Sequence, residues 1–150
     1  MLNHPELKVP LSMVFALFLC LSCISMDERL RVAAYENDSE KAGKLIAEVA
    51  DVDTKNEYGN TALMIAAMEG NAETAKVLIA GGADVNARNR GQNTVLMIAV
   101  QKGHKETVNI LITAGADVNA KTPGGMTALA IAESKGYIEI VEILQKAGAR

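Results

Sequence analysis

Apolar and polar positions along this chain recur on a fixed offset. Thr61-Ala62-Leu63-Met64-Ile65-Ala66 returns 33 positions later as Thr94-Val95-Leu96-Met97-Ile98-Ala99, and again as Thr127-Ala128-Leu129-Ala130-Ile131-Ala132. Gly82-Ala83-Asp84-Val85-Asn86-Ala87 returns as Gly115-Ala116-Asp117-Val118-Asn119-Ala120. A constant period of this length marks stacked supersecondary units, each packing mainly on its neighbours. The offset divides residues 27–150 into units at about 27–55, 56–88, 89–121 and 122–150.

One unit can be read residue by residue. Asn56-Glu57-Tyr58-Gly59-Asn60 is a turn cluster, rich in residues that tolerate positive φ. Thr61 is placed to cap a short helix, its hydroxyl accepting from a first-turn N–H. Leu63, Ala66 and Ala67 share one face of that helix, flanked by Met64 and Ile65. Gly70-Asn71 breaks it. A second helix is predicted over about 72–80, burying Ala75, Leu78 and Ile79 and stopped by Gly81-Gly82. Helices this short are marginal alone in water, so stacking is obligatory.

The terminal units depart from the pattern as caps should. Arg29 and Arg31 stand where Ala62 and Met64 stand one unit later, predicting a more polar outer side. Val49 replaces the Gly82-type stop, predicting an irregular loop. Glu133 takes the Ala67 position in the last unit, and Gln145-Lys146 follow Leu144. Terminal repeats with one wetted face keep a solenoid soluble, and Gly148-Ala149-Arg150 reads as its finish.

Composition narrows the core. There is no Trp, and both Phe residues, Phe15 and Phe18, precede the repeats, so the stack must be built from aliphatic residues. A net charge of −3 argues against nucleic acid as a partner, since such binders carry a strongly basic footprint. Cys20 and Cys23 also precede the repeats, leaving the repeat region without a disulfide or thiolate ligand.

Residues 1–25 read as an address. Residues 11–24 (LSMVFALFLCLSCI) carry no charge. As a helix they would span about 21 Å, short of the ~30 Å hydrocarbon core and matching the apolar part of a secretory signal. Simple cleavage before Met26 and lipidation of Cys23, within a relaxed lipobox Leu19-Cys20-Leu21-Ser22-Cys23, both fit, as does an uncleaved anchor. The expectation is export, to the periplasm or to a lipid anchor on a bacterial envelope. The alternative is a cytoplasmic protein starting at Met26. Membrane contact is expected only through this segment.

The 33-residue helix–turn–helix–turn unit, with T-x-L-x-x-A, Gly70-Asn71 and G-A-D-V-N-A, resembles the ankyrin repeat. Asn56, Thr61, Leu63, Ala66, Ala67, Gly70, Val77, Leu78, Gly82, Ala83, Asp84 and Asn86 carry the resemblance. It implies an all-α ankyrin-repeat solenoid, its helical pairs joined by β-turn or hairpin loops, covering residues 27–150. The family's usual T-P-L-H is here T-A-L-M, T-V-L-M and T-A-L-A. The loss of the first-turn Pro and the inter-repeat His predicts lower rigidity. Gly91-Gln92 stands where Tyr58-Gly59 stands, predicting a differently shaped third fingertip.

Candidate chemistry is sparse. His104 is the only histidine of the repeats and reads as a structural residue opening a second helix. One histidine and no cysteine assemble neither a zinc site nor a Cys/His nucleophile pair. Ser39 and Ser134 lack a G-x-S-x-G setting. Asp84, Asp117, Glu73, Glu106 and Glu139 recur with the period, as turn or helix-surface residues do. The reading is a noncatalytic chain without cofactor or metal.

The resemblance implies instead that a protein partner docks on the concave face, made of turn fingertips and first helices. Mapped here, that face comprises Glu57, Tyr58, Asn60, Met68 and Glu69, then Arg88, Arg90, Asn93, Gln101 and Lys102, then Lys121, Met126, Ser134 and Lys135. The later members are basic, which suits a partner with an acidic surface, and Tyr58 is the best single anchor. The expected form is a monomer serving as an interaction module in the bacterial envelope. A secreted effector engaging host proteins, a cytosolic adaptor and a subunit completing an enzyme in trans are the alternatives.

Overall fold

The computed structural model describes residues 24–48 and 51–150. Residues 1–23 of the proposed signal, Cys23 among them, and Val49 lie outside the described residues. Within them the chain forms helices α1 (Met26–Glu36), α2 (Ser39–Ile46), α3 (Ala62–Glu69), α4 (Ala72–Ala80), α5 (Val95–Lys102), α6 (Lys105–Thr113), α7 (Ala128–Lys135) and α8 (Ile138–Lys146). No strand is formed among the described residues. One antiparallel bridge, Arg88 to Thr94, closes the base of the third finger.

Local chemistry places the helix starts. The hydroxyls of Thr61, Thr94 and Thr127 accept from the N–H groups of Met64, Met97 and Ala130 at 3.3, 3.2 and 3.1 Å. The first unit has Glu28 at the equivalent position, and Ser25 takes over the cap by accepting from Glu28 N. Helix α1 therefore begins earlier and runs 11 residues, against 8 for α3, α5 and α7. Asp27 and Glu28 in its first turn complement the helix dipole.

The first helices form one layer, α1 on α3 on α5 on α7, and the second helices form the other, α2 on α4 on α6 on α8. Between them lies one continuous aliphatic core including Leu30, Leu63, Leu78, Leu96, Val108, Leu111 and Leu144. Leu63, Ala66, Ala67, Ala75 and Leu78 are fully buried, as their spacing predicts. Ile79 is only half-buried, because it sits at the outer edge of α4. Ala at the layer contact lets thin helices approach closely, which larger side chains would prevent.

Two further expectations are revised. Arg29 is exposed, but Arg31 is 8% exposed. Its guanidinium donates to Glu28 at 2.6 and 3.0 Å and reaches the Thr54 carbonyl and hydroxyl at 3.4 Å. Arg31 therefore seals the first unit by tying α1 to the first loop. The third finger, whose base carries the Arg88–Thr94 bridge, closes its tip with the same turn as its neighbours. Gln92 takes the left-handed conformation (φ 60°) that Gly59 and Gly125 take in theirs, and its N–H closes the same turn onto Asn89 O. A non-glycine residue at this φ is strained, and the bond to Asn89 O and the bond from Arg88 to Gln92 O hold it there. His104 is the structural residue at the head of α6 that the sequence predicts, and its Nε2 lies 3.0 Å from Met68 O of the preceding unit, while the T-P-L-H positions carry no histidine. In the last unit Glu133, Gln145 and Lys146 are exposed, giving the wetted cap the sequence predicts.

Candidate protein-docking face

The fingers are built by side-chain and backbone hydrogen bonds of the same turn residues. Asn56 Oδ1 accepts from Tyr58 N and Asn60 N at 3.0 Å each. Asn89 Oδ1 accepts from Asn93 N, and Thr122 Oγ1 from Met126 N, both at 3.1 Å. Successive fingers are then tied together. Arg90 N donates to Tyr58 O at 3.2 Å, and Asn89 Nδ2 to Asn60 Oδ1 at 3.1 Å. Lys55 Nζ donates to Arg88 O at 2.9 Å, and one period later Arg88 Nη1 donates to Lys121 O at 3.0 Å.

A second ladder runs along the opposite loops. Asn86 Oδ1 accepts from Asp117 N while its Nδ2 donates to Gly115 O. Asn119 repeats both bonds with Arg150 N and Gly148 O. Asp53 holds the same place in the first unit. It accepts from Asp84 N with both oxygens but has no N–H to donate. Burial pushes the Asp53 carboxyl above its ordinary range, and the bond from Asp84 N opposes this only in part.

These ties sort the predicted docking residues. Tyr58 is 65% exposed and Met126 48%. Glu57, Glu69, Arg90, Gln101, Lys102, Lys121, Ser134 and Lys135 are exposed, and Met68, Arg88 and Asn93 are half-buried. Asn60 is buried, and its amide oxygen is spent on Asn89. Arg88 directs its guanidinium to the carbonyls of Gln92 and Lys121. Both belong to the scaffold of the fingers. Ser134 returns its hydroxyl to Ile131 O within its own helix.

Sequence reasoning missed Tyr35 and Glu36. Tyr35 is 63% exposed and is the first-unit equivalent of Met68, Gln101 and Ser134. Glu36 is likewise the equivalent of Glu69, Lys102 and Lys135. The same 33-residue offset, extended one unit backwards, would have found them.

The ionic arrangement is uneven. Glu28, Glu36, Glu40, Glu73 and Glu139 pair with Arg31, Lys41, Lys44, Lys76 and Lys105. Arg90, Lys102, Lys121 and Lys135 have no ion-pair partner among the described residues. The described residues also line two hollows. One, of about 410 Å³, sits between Lys105, Tyr137 and Ile138, and the other, of about 430 Å³, between Ile79 and Ile110. No group of three His, Cys, Asp or Glu side chains among the described residues is placed to hold a metal ion. No helix among them is long and apolar enough to cross a membrane.

Two layers of short helices with projecting fingers define a helical-repeat scaffold. The family model described as "Ankyrin repeats (3 copies)" matches residues 30–122, and the chain belongs to that family. Helices α7 and α8 continue the same register beyond the matched residues. A comparison with curated proteins found no match. Ankyrin repeats are in general protein–protein interaction modules.

Proposed function

We propose that this chain is a noncatalytic docking scaffold that grips another protein across the concave face formed by its fingers and first helices. The observation that carries the reading is the set Arg90, Lys102, Lys121 and Lys135, exposed and without ion-pair partners among the described residues. Unneutralised cations on one side of an acidic protein attract an acidic surface and raise its rate of encounter. Tyr58 supplies an exposed aromatic anchor beside them, the kind of residue that dominates interface energetics. Rim charges give orientation and on-rate, and the aromatic gives residence time.

The proposal includes delivery to a bacterial envelope by residues 1–25, on the strength of the uncharged run 11–24. The intact mass of the native protein would show a chain cleaved before Met26, or a lipid on Cys23; an unprocessed chain confined to the cytosol would overturn delivery.

The docking face is tested by Arg90→Glu, Lys121→Glu and Lys135→Glu together in the full chain. Loss of a partner captured by the wild-type protein from native envelope, with an unchanged thermal melt, is expected. Undiminished capture would overturn the reading.

A further inference from the structure

The four first helices end on a graded row: Glu36, Glu69, Lys102 and Lys135 are the last residues of α1, α3, α5 and α7. All are exposed. Beside them runs a second row, Tyr35, Met68, Gln101 and Ser134, apolar in the first two units and polar in the last two. The first helices pack side by side, so equivalent positions are separated by about 8–10 Å per step. The row thus spans about 24–30 Å, negative over one half and positive over the other.

Helix physics accounts for only half of this. A helix C-terminus carries partial negative charge, which favours Lys102 and Lys135 and disfavours Glu36 and Glu69. Glu36 is partly compensated by Lys41 at 3.4 Å. Glu69 has no cation partner among the described residues. An acid at this position in α3 works against its own helix.

We infer that the row is self-complementary and docks a second copy of this chain in antiparallel register. A two-fold axis between the second and third units sets Glu69 against Lys102 of the other copy and Glu36 against Lys135, each pair occurring twice. Such an isologous contact closes on itself and does not propagate. The exposed Tyr35 meets the basic end of the other copy, where an aromatic face attracts a cation. Exposed ion pairs are individually weak and screened by salt, so the dimer is weak and salt-sensitive. The inference rests on the reading above, that this face docks protein, and names one acidic surface that it accepts.

Sedimentation equilibrium of the full chain at low salt tests it. A concentration-dependent dimer is expected, at least tenfold weaker at 0.5 M salt. Glu69→Lys and Lys102→Glu singly should each shift the chain to monomer, and the double variant should restore the dimer. Both sites are exposed, and far-UV circular dichroism checks the fold. A wild-type chain that stays monomeric at low salt would overturn the inference, as would a double variant no better than the singles. Association that strengthens with salt would do so too, since it would point to the apolar run 11–24. Retained capture of a different protein alongside any of these results would leave the docking face standing.

Discussion

The imidazole Nε2 of His104 donates to the backbone carbonyl of Met68 at 3.0 Å, joining the head of α6 to the last turn of α3 in the preceding unit. A carbonyl only accepts, so Nε2 carries the proton. Asn71 does the same work one unit earlier, its Nδ2 donating to the carbonyls of Ala34 and Tyr35 at 2.8 and 2.9 Å. These bonds satisfy carbonyls that a helix C-terminus leaves unpaired.

His104→Ala should therefore lower stability by about 1–2 kcal/mol, the cost of one buried-edge hydrogen bond and an unpaired acceptor. His104→Asn should recover part of that loss, because Asn71 shows an amide can reach across. Urea unfolding of both variants checks this, and an Asn variant no better than Ala would refute the bridging role.

Gly103 adopts φ 78°, and a Cβ there would stand 3.1 Å from the Tyr137 ring. Gly103→Val should cost at least about 2 kcal/mol, combining left-handed strain on a β-branched residue with displacement of Tyr137. Leu96→Ala, in the centre of the aliphatic stack at 1% exposure, should cost ~2–5 kcal/mol through its cavity. Thermal melts unchanged from wild type in either case would contradict the packing described.

Thr107 is fully buried, and its hydroxyl has no hydrogen-bond partner. The reason lies one unit back. Thr74, its equivalent, bonds Asn37 Oδ1 at 3.0 Å, whereas Gly70 occupies the Asn37 position opposite Thr107 and offers no side chain. Thr107→Val removes the stranded group and keeps the shape, and should raise stability by about 1 kcal/mol. A fall in the urea midpoint would show the hydroxyl to be satisfied.

Asp53 should make stability fall as pH rises. Its folded-state value lies above the ordinary 3.8, so between the two the folded chain binds more protons than the unfolded one. Its contribution is most favourable below 3.8 and is lost as pH climbs through the raised folded value. Asp53→Asn removes that dependence and adds an N–H that can reach Gly82 O, as Asn86 and Asn119 reach Gly115 O and Gly148 O. The variant's advantage over wild type should grow from acid to neutral pH, to about 1 kcal/mol. Melts compared across that range would show it, and an advantage that shrinks with pH would invert the assignment.

The 33-residue offset was enough to predict the helical pairs, the threonine caps and the buried Leu63, Ala66, Ala67, Ala75 and Leu78. Such features depend on residues within a turn or two of each other. Gln92 and Arg31 departed from expectation because contacts formed on folding outweighed the preference of the single residue. Asn89 closes the third turn with Gln92 in the left-handed conformation, and Thr54, 23 residues from Arg31, holds that charged side chain inward.

The proposed docking face was legible as a set of offsets but not as a set of free side chains. Asn60 and Arg88 resemble Tyr58 and Arg90 in position and polarity, yet the first two are held by Asn89 and by the carbonyls of Gln92 and Lys121. The sequence by itself determined the period, the layers and the aliphatic core, since these follow from apolar spacing that repeats. Only the tertiary structure decided which polar residues brace the stack and which face outward. That choice depends on the group the adjacent unit presents some 30 residues away, as the contrast between Thr74 against Asn37 and Thr107 against Gly70 shows.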